Sequence, residues 1–310
     1  MFFLRSIRVQ RTSVISKPCL TAVTSSALGE YQPLDEADTF DVEYWSLEQA
    51  KLKKMVEGPL ARQVAVITGG AGGIGAATAS AFAGLGAEVA ILDLDGHKAR
   101  EVADGIEGLG LECDVTDRDD VQATFNAICE AYGGADIVVS NAGAAWRGKI
   151  GEVDEGTLRR SFELNFFGHQ TVAQAAVRVM LAQETGGVLL FNASKQAVNP
   201  GPDFGPYGLP KAATLFLAKQ YALEYGSAGI RSNAINADRV NTGMFADGLL
   251  EERAKARGLS TDAYLRSDNL LGREVLAKDV AQAFVALALA RKTTAATLTV
   301  DGGNIEASLR

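Results

Sequence analysis

The apolar run Val64-Ala-Val-Ile-Thr68 leads without a break into Gly69-Gly70-Ala71-Gly72-Gly73-Ile74-Gly75 and then into an Ala-rich stretch of helical period. Few folds use such a join. Small residues let the backbone close around a pyrophosphate, and the first helical turn offers free N–H groups and the positive end of its dipole. A glycine run alone would be a tight turn. Here a strand precedes it, a helix follows, and the next strand-like run, Glu88 to Asp93, ends in an acid. The Asp93 carboxylate can accept both hydroxyls of an adenosine ribose and repel a 2′-phosphate; its bland reading is a solvated turn residue.

The alternation continues along the chain. Strand-like runs fall at 64–68, 88–93, 136–140, 188–192, 231–235 and 297–300, with a weaker one at 111–113. Between them lie Ala- and Leu-rich segments of helical period, among them 74–85, 121–132, 158–181 and 212–225. Strands that alternate with helices imply right-handed crossovers and a parallel sheet covered on both faces. The predicted class is a doubly wound α/β sheet.

That pattern occupies residues 61–310 as a single domain, with the charged segment from Thr242 to Arg273 as a short helical lid. A solvated surface is the default reading of the lid's charges. Residues 30–60 form an extension in which Ser46 and Gln49 can cap a short helix that ends at Gly58-Pro59.

Residues 1–29 differ in composition from everything that follows. They hold Arg5, Arg8, Arg11 and Lys17, eight Ser and Thr, and none of the 38 acidic residues. An Arg- and Ser-rich, acid-free, loosely amphipathic start has the composition of an organellar transit peptide. This places the protein in the mitochondrial matrix, with the cytoplasm as the location if the segment is a basic tail without a targeting role.

Charge and cysteine content exclude other classes. The net charge of -8 repels phosphate backbones, which disfavours a nucleic-acid partner. No run reaches the ~18 apolar residues of a membrane span. Cys19, Cys113 and Cys129 form no CxxC pair, and with only His97 and His169 available a metal site is not expected.

The spacing Thr-Gly-x-x-x-Gly-Ile-Gly at 68–75 resembles the short-chain dehydrogenase/reductase family, which has a Rossmann fold. Later residues extend the likeness across residues 62–303. Asp114-Val115 resembles the family's adenine-contacting pair, Asn141-Ala142-Gly143 its Asn-Ala-Gly turn, and Asn165 its helical asparagine. Ser194, then Tyr207 and Lys211, reproduce its Ser and Tyr-x-x-x-Lys set, while Thr242 closes the segment after the sixth strand. The resemblance implies a nicotinamide cofactor held by Gly69, Gly73, Ile74, Gly75, Asp93, Asp114, Val115, Asn141, Ala142, Gly143, Tyr207, Lys211 and Thr242. It implies catalysis by Asn165, Ser194, Tyr207 and Lys211, and a homodimer or homotetramer paired through long apolar helices. A narrower likeness, at Tyr31 to Met55, Phe191 to Ala197 and Tyr207 to Lys211, is to the dehydrogenase half of bifunctional class II aldolase/short-chain dehydrogenase proteins of the rhamnulose-1-phosphate aldolase/alcohol dehydrogenase type.

The residues support this chemistry on their own terms. Tyr207 and Lys211, four apart, share a helix face. A phenol of pKa ≈ 10 is a poor base, but nearby positive charge favours the phenolate, and Lys211 and an oxidised nicotinamide would both supply it. Ser194 can hold the same substrate oxygen, and the resemblance gives Asn165 a water that links Lys211 to solvent.

The expected activity is hydride transfer between NAD and the CH–OH or carbonyl carbon of a small polyhydroxylated or hydroxyaldehyde substrate, in carbohydrate metabolism. Two alternatives stay open: a non-catalytic Rossmann subunit of a larger assembly, and an NADPH-dependent oxoacyl reductase. Ala237-Asp238 departs from the family's Pro-Gly, leaving Asp238 either to pair with Arg239 or to contact a polar substrate. Pro210, directly before Lys211, suits the first turn of a helix that begins near Tyr207.

Overall fold

The computed structural model describes residues 57–242 and 248–304. The leader at 1–29 and the capped helix near Ser46 lie outside the described residues. Seven parallel strands form one sheet: β1 (Val64–Thr68), β2 (Glu88–Asp93), β3 (Leu109–Glu112), β4 (Ile137–Ser140), β5 (Gly187–Asn192), β6 (Ile230–Ala237) and β7 (Thr297–Val300). Their spatial order is β3-β2-β1-β4-β5-β6-β7. The order reverses between β1 and β4, where Val66 lies opposite Val138, and a crevice opens at such a reversal beyond the strands' carboxyl ends.

Helices cover both faces. On one side lie α3 (Arg118–Tyr132), α5 (Gly168–Gln183) and α6 (Gly205–Tyr225), whose Phe125, Val177 and Tyr221 join Val66, Val138 and Phe191 in one core layer. The other layer packs Phe82 of α1 (Gly73–Ala83), Ala99 of α2 (Gly96–Asp104) and Phe284 of α9 (Ala277–Leu289) against Ile67, Ile91 and Leu190. Central strands such as β1 are buried along their whole length, which explains why they read as unbroken apolar runs.

Three local predictions change. The helix expected over 158–181 is divided into α4 (Glu155–Phe162), a π turn (Glu163–Phe167) and α5. The helix expected from residue 212 begins at Gly205, so Tyr207 and Lys211 both lie within α6. Pro210 therefore falls inside the helix rather than in its first turn, and the Pro206 carbonyl loses the N–H it would receive there. Between β6 and α9 lie α7 (Leu249–Ala256) and α8 (Thr261–Arg266), the helices of the charged segment. No helix among the described residues is long and apolar enough to cross a membrane. Cys113 and Cys129 are free thiols; burial pushes Cys113 up to about 11, against a hydrogen bond with Thr124, and raises Cys129 too.

Candidate active site

The glycine turn after β1 folds back on itself. A Cβ on Gly75 would lie 2.1 Å from the Gly69 carbonyl oxygen, so no larger residue can start α1 there. Asp93, at the end of β2, holds the turn: its two carboxylate oxygens accept the Ala71 and Asp95 N–H groups at 3.0 and 3.1 Å. After β4, Asn141 donates its side-chain amide to the carbonyls of Thr68 and Gly69, both at 3.0 Å. Ala142 N–H donates to the Thr68 hydroxyl at 3.1 Å. The structure thus brings Gly69, Asn141 and Ala142 together across the reversal in strand order. Thr242 closes against Gly73, its Cβ 3.1 Å from where a glycine Cβ would stand, and Ile74 lines the adjoining cavity with it. Asp114 accepts the Thr116 N–H and hydroxyl at 2.9 and 2.7 Å, next to buried Val115.

The reactive side chains gather beyond the ends of β4 and β5. Ser194 caps a short 3-10 turn (Lys195–Ala197), its hydroxyl accepting the Gln196 N–H at 3.2 Å, and it also hydrogen-bonds the Tyr207 phenol. Lys211, one helical turn past Tyr207, lies with its Nζ 5.8 Å from the Tyr207 ring centre. Burial pushes Tyr207 up to about 12, opposed by the hydrogen bond with Ser194, and burial pulls Lys211 down to about 7. In the protein's own groups burial thus governs the phenol, and Lys211 by itself does not bring the expected lowering. Further positive charge is needed to make the phenol a base.

Asn165 sits in the π turn, a distortion that recurs at functional sites. Its amide nitrogen donates to the Ala144 carbonyl at 2.9 Å and to Ser161, which leaves its buried Oδ1 without a protein partner. That oxygen and the Lys211 Nζ both face Gly143, 2.8 and 3.3 Å from where a Cβ would stand. The turn needs glycine there to leave room for both.

Sequence reasoning missed a second layer. Lys211 Nζ donates to the Asn192 carbonyl at 2.9 Å and lies 3.1 Å from His169 Nε2. His169 Nδ1 in turn lies 2.6 Å from the Ser140 hydroxyl. An ammonium has donors only, so Nε2 accepts and Nδ1 carries the imidazole proton toward Ser140. Burial first, then the Lys211 charge, hold His169 well below its ordinary pKa, and it stays neutral. Lys195 forms a buried ion pair with Asp301 at 2.7 Å. Asp238 does pair with Arg239, at 3.6 Å, and still lines the cavity. That cavity, about 300 Å³, opens in front of Ser194 and Tyr207.

The order of these parts is matched by known proteins. Residues 69–304 fit the family model described as enoyl-(acyl carrier protein) reductase, a short-chain dehydrogenase/reductase model. The chain is a short-chain dehydrogenase/reductase. It is therefore an oxidoreductase of a family that uses a nicotinamide cofactor. A second model, class II aldolase second domain, fits residues 17–52. An uncharacterized oxidoreductase YuxG of Bacillus subtilis is 36% identical over 294 residues, which are 90% of this chain but only 43% of that protein. The 4-formylbenzenesulfonate dehydrogenase of Comamonas testosteroni is 37% identical over 79% of this chain and 98% of its own length. Among solved structures, a 3-ketoacyl-(acyl-carrier-protein) reductase of Brucella melitensis in complex with NADH superposes with a TM-score of 0.71 at 28% identity, over 79% of this chain and 99% of that one.

Proposed function

We propose that this short-chain dehydrogenase transfers hydride between NAD and the CH–OH or carbonyl carbon of a small polyhydroxylated or hydroxyaldehyde substrate, with Tyr207 as general acid and base. The observation that carries this reading is the burial of Ser194, Tyr207 and Lys211 together, with Ser194 and Tyr207 lining the 300 Å³ cavity that Ile74 of the glycine turn also borders. The turn suits a dinucleotide: its side-chain-free path leaves the first N–H groups of α1 open to phosphate, and the cradle at Gly143 holds the unpartnered Asn165 Oδ1 and the Lys211 ammonium. In this reading Gly69, Gly73, Ile74, Gly75, Asn141, Ala142, Gly143 and Thr242 enclose the cofactor. Asp93 receives the adenosine ribose, Asp114 and Val115 border the adenine, and Tyr207 and Lys211 meet the nicotinamide end. Once bound, the nicotinamide supplies or accepts the hydride.

The protein's own task is the proton. Ser194 holds the substrate oxygen, Tyr207 takes or gives its proton, and Lys211 steadies the phenolate. Asn165 and Lys211 lead that proton toward solvent. A pKa of about 12 keeps the phenol protonated, which serves carbonyl reduction; alcohol oxidation calls on the positive charge of an oxidised nicotinamide to release the proton. Asp93 argues against an oxoacyl reductase that uses NADPH.

The match of residues 17–52 to an aldolase domain and the partial overlap with YuxG support descent from the dehydrogenase half of a bifunctional aldolase/dehydrogenase. On composition we place 1–29 as a mitochondrial import leader, 30–60 as an extension and 61–310 as the catalytic domain. Homo-oligomers are supported by Phe216 and Leu223 of α6, 69% and 78% exposed.

The test is a screen of sugar alcohols, hydroxyaldehydes and hydroxy acids that follows NADH absorbance, repeated with Tyr207→Phe. A fall in turnover of about 10²–10⁴ with NAD affinity retained is expected. Wild-type turnover in the phenylalanine variant overturns the role of Tyr207, and NAD binding without any turnover favours the structural-subunit alternative.

A further inference from the structure

The cavity in front of Tyr207 has a charge pattern that hydride transfer does not use. Its wall carries Lys195, Arg239, Arg253 and Arg257, with Asp238 and Asp268 as its acidic residues. Much of this charge is internally matched. Lys195 is committed to Asp301, which lies outside the lining. Arg239 lies 2.6 Å from Asp268 and 3.6 Å from Asp238, and it also donates to the Tyr264 and Ser267 carbonyls at 3.0 and 2.8 Å. One arginine therefore occupies both carboxylates.

Arg253 and Arg257 remain. Arg253 is on α7 and Arg257 caps its C-terminus, one helical turn later. Among the described residues, neither has a carboxylate within ion-pair distance. Each instead lies over an aromatic ring: Arg253 Cζ is 4.3 Å from the centre of Phe204, and Arg257 Cζ is 5.1 Å from that of Tyr264. Both rings are buried and line the same cavity, and Phe204 meets Tyr207 edge to face at 6.3 Å. Resting on a ring steadies a guanidinium without using its N–H donors. Arg253 stands two ring contacts from the reactive phenol and Arg257 lines the same cavity, and among the described residues neither pairs with a carboxylate, in a chain with a net charge of -8.

We propose that the substrate carries an oxyanion group (carboxylate, phosphate or sulfonate) remote from its reacting carbon, and that Arg253 and Arg257 bind it. The inference rests on the dehydrogenase reading and narrows its substrate class to anionic hydroxy or carbonyl compounds. The fork of donors on each arginine suits the paired oxygens of such a group. Arg239, by occupying Asp238 and Asp268, keeps both carboxylates from repelling it.

The experiment has a kinetic and an equilibrium arm, both on the full chain. In the first, kcat/KM is measured for matched pairs: glycerate and glycerol 3-phosphate against glycerol, and 4-(hydroxymethyl)benzoate and 4-(hydroxymethyl)benzenesulfonate against benzyl alcohol. The anionic member should win by at least about tenfold, the effect of ~1.4 kcal/mol. The pair that wins by most separates carboxylate, phosphate and sulfonate. The Arg253→Gln/Arg257→Gln protein should bring the ratio near one, and Arg253→Lys/Arg257→Lys should restore part of it. In the second arm, calorimetry follows succinate, inorganic phosphate and methanesulfonate binding to the protein loaded with NADH. At least one should bind saturably, and the glutamine variant should weaken it about tenfold or more. Neutral alcohols used as well as their anionic partners overturn the anion site and leave the dehydrogenase reading intact. Arginine-dependent anion binding without turnover of any alcohol sustains the site and overturns the dehydrogenase reading. No turnover and no anion binding overturns both.

Discussion

His169 Nε2 accepts a hydrogen bond from Lys211 Nζ at 3.1 Å while its Nδ1–H is turned to Ser140, so a buried neutral imidazole holds the ammonium that faces Tyr207. A hydrogen bond to a charged group contributes about 1.5–3 kcal/mol, which corresponds to about one pH unit or more in the lysine. Replacing His169 with Leu should lower the Lys211 pKa and weaken the field that stabilises the Tyr207 phenolate. The rising limb of the pH profile for alcohol oxidation should then move up by roughly one pH unit. His169→Gln, with an amide oxygen able to accept the same bond, should restore most of the shift. A loss of turnover equal at every pH would mean that His169 only fills space.

The lysine also makes stability depend on pH in a definite direction. An unfolded lysine titrates near ~10.4, whereas buried Lys211 titrates at about 7. Between these values the unfolded chain binds the extra proton, so this site's contribution to stability rises with pH. Tyr207 acts in the opposite sense at higher pH: folded at about 12 against ~10 unfolded, it makes stability fall above pH 10. The melting temperature of wild type relative to Lys211→Met should therefore climb from pH 7 to pH 10. A constant difference over that range would show that burial does not depress Lys211.

Asp93 has two jobs that a single substitution can separate. Its charge faces the site assigned to the ribose, while its oxygens accept the Ala71 and Asp95 N–H groups. Asp93→Asn removes the charge and keeps an acceptor; Asp93→Ala removes both. The asparagine variant should shift the kcat/KM ratio toward NADP by about tenfold, the equivalent of ~1.4 kcal/mol of relieved repulsion. The alanine variant should add a loss of affinity for both cofactors. A wild type that prefers NADP would remove the basis for this role of Asp93.

What was legible in the sequence was what short spacing encodes. The strand-to-glycine join, the acid closing β2 and the four-residue step from Tyr207 to Lys211 all lie within single elements or their immediate junctions. His169 was weighed only as a metal ligand, because its partners Ser140 and Lys211 lie 29 and 42 residues away. The π turn at Asn165 was invisible for another reason. One extra residue in a turn leaves the apolar rhythm of 158–181 nearly intact while it rotates the side chains that follow. Gly205, Pro206, Gly208 and Pro210 hid the true start of α6. Gly205, Gly208 and Pro210 disfavour a helix while Pro206 suits its first turn, and buried Tyr207, Leu215 and Tyr221 override the unfavourable residues through packing. The cavity's cations were readable as residues but not as unmatched charge, since matching is a property of three-dimensional neighbours.

The ion pair of Lys195 with Asp301 joins the end of β5, next to Ser194, to the turn after β7, 106 residues on. The two side chains are only 4% and 10% exposed, and Lys195 also donates to the Asn304 carbonyl at 3.2 Å. Burial opposes the Asp301 charge, yet the hydrogen bonds from Lys195 and the Gly303 N–H hold its carboxyl below the ordinary range. A depressed carboxyl stabilises the fold above its unfolded value of ~3.9, and that contribution is lost as pH falls through the folded value. Removing one partner leaves a buried charge without its counter-ion, at a cost of about 3–5 kcal/mol. Lys195→Met should therefore lower the urea midpoint at pH 7 sharply and much less at pH 3, where Asp301 takes up a proton. Lys195→Met combined with Asp301→Leu should recover much of the loss, since an apolar pair has no charge to leave stranded. If Lys195→Met costs as much at pH 3 as at pH 7, the side chain acts through packing, and the ion pair is not what fixes the strand end that carries Ser194.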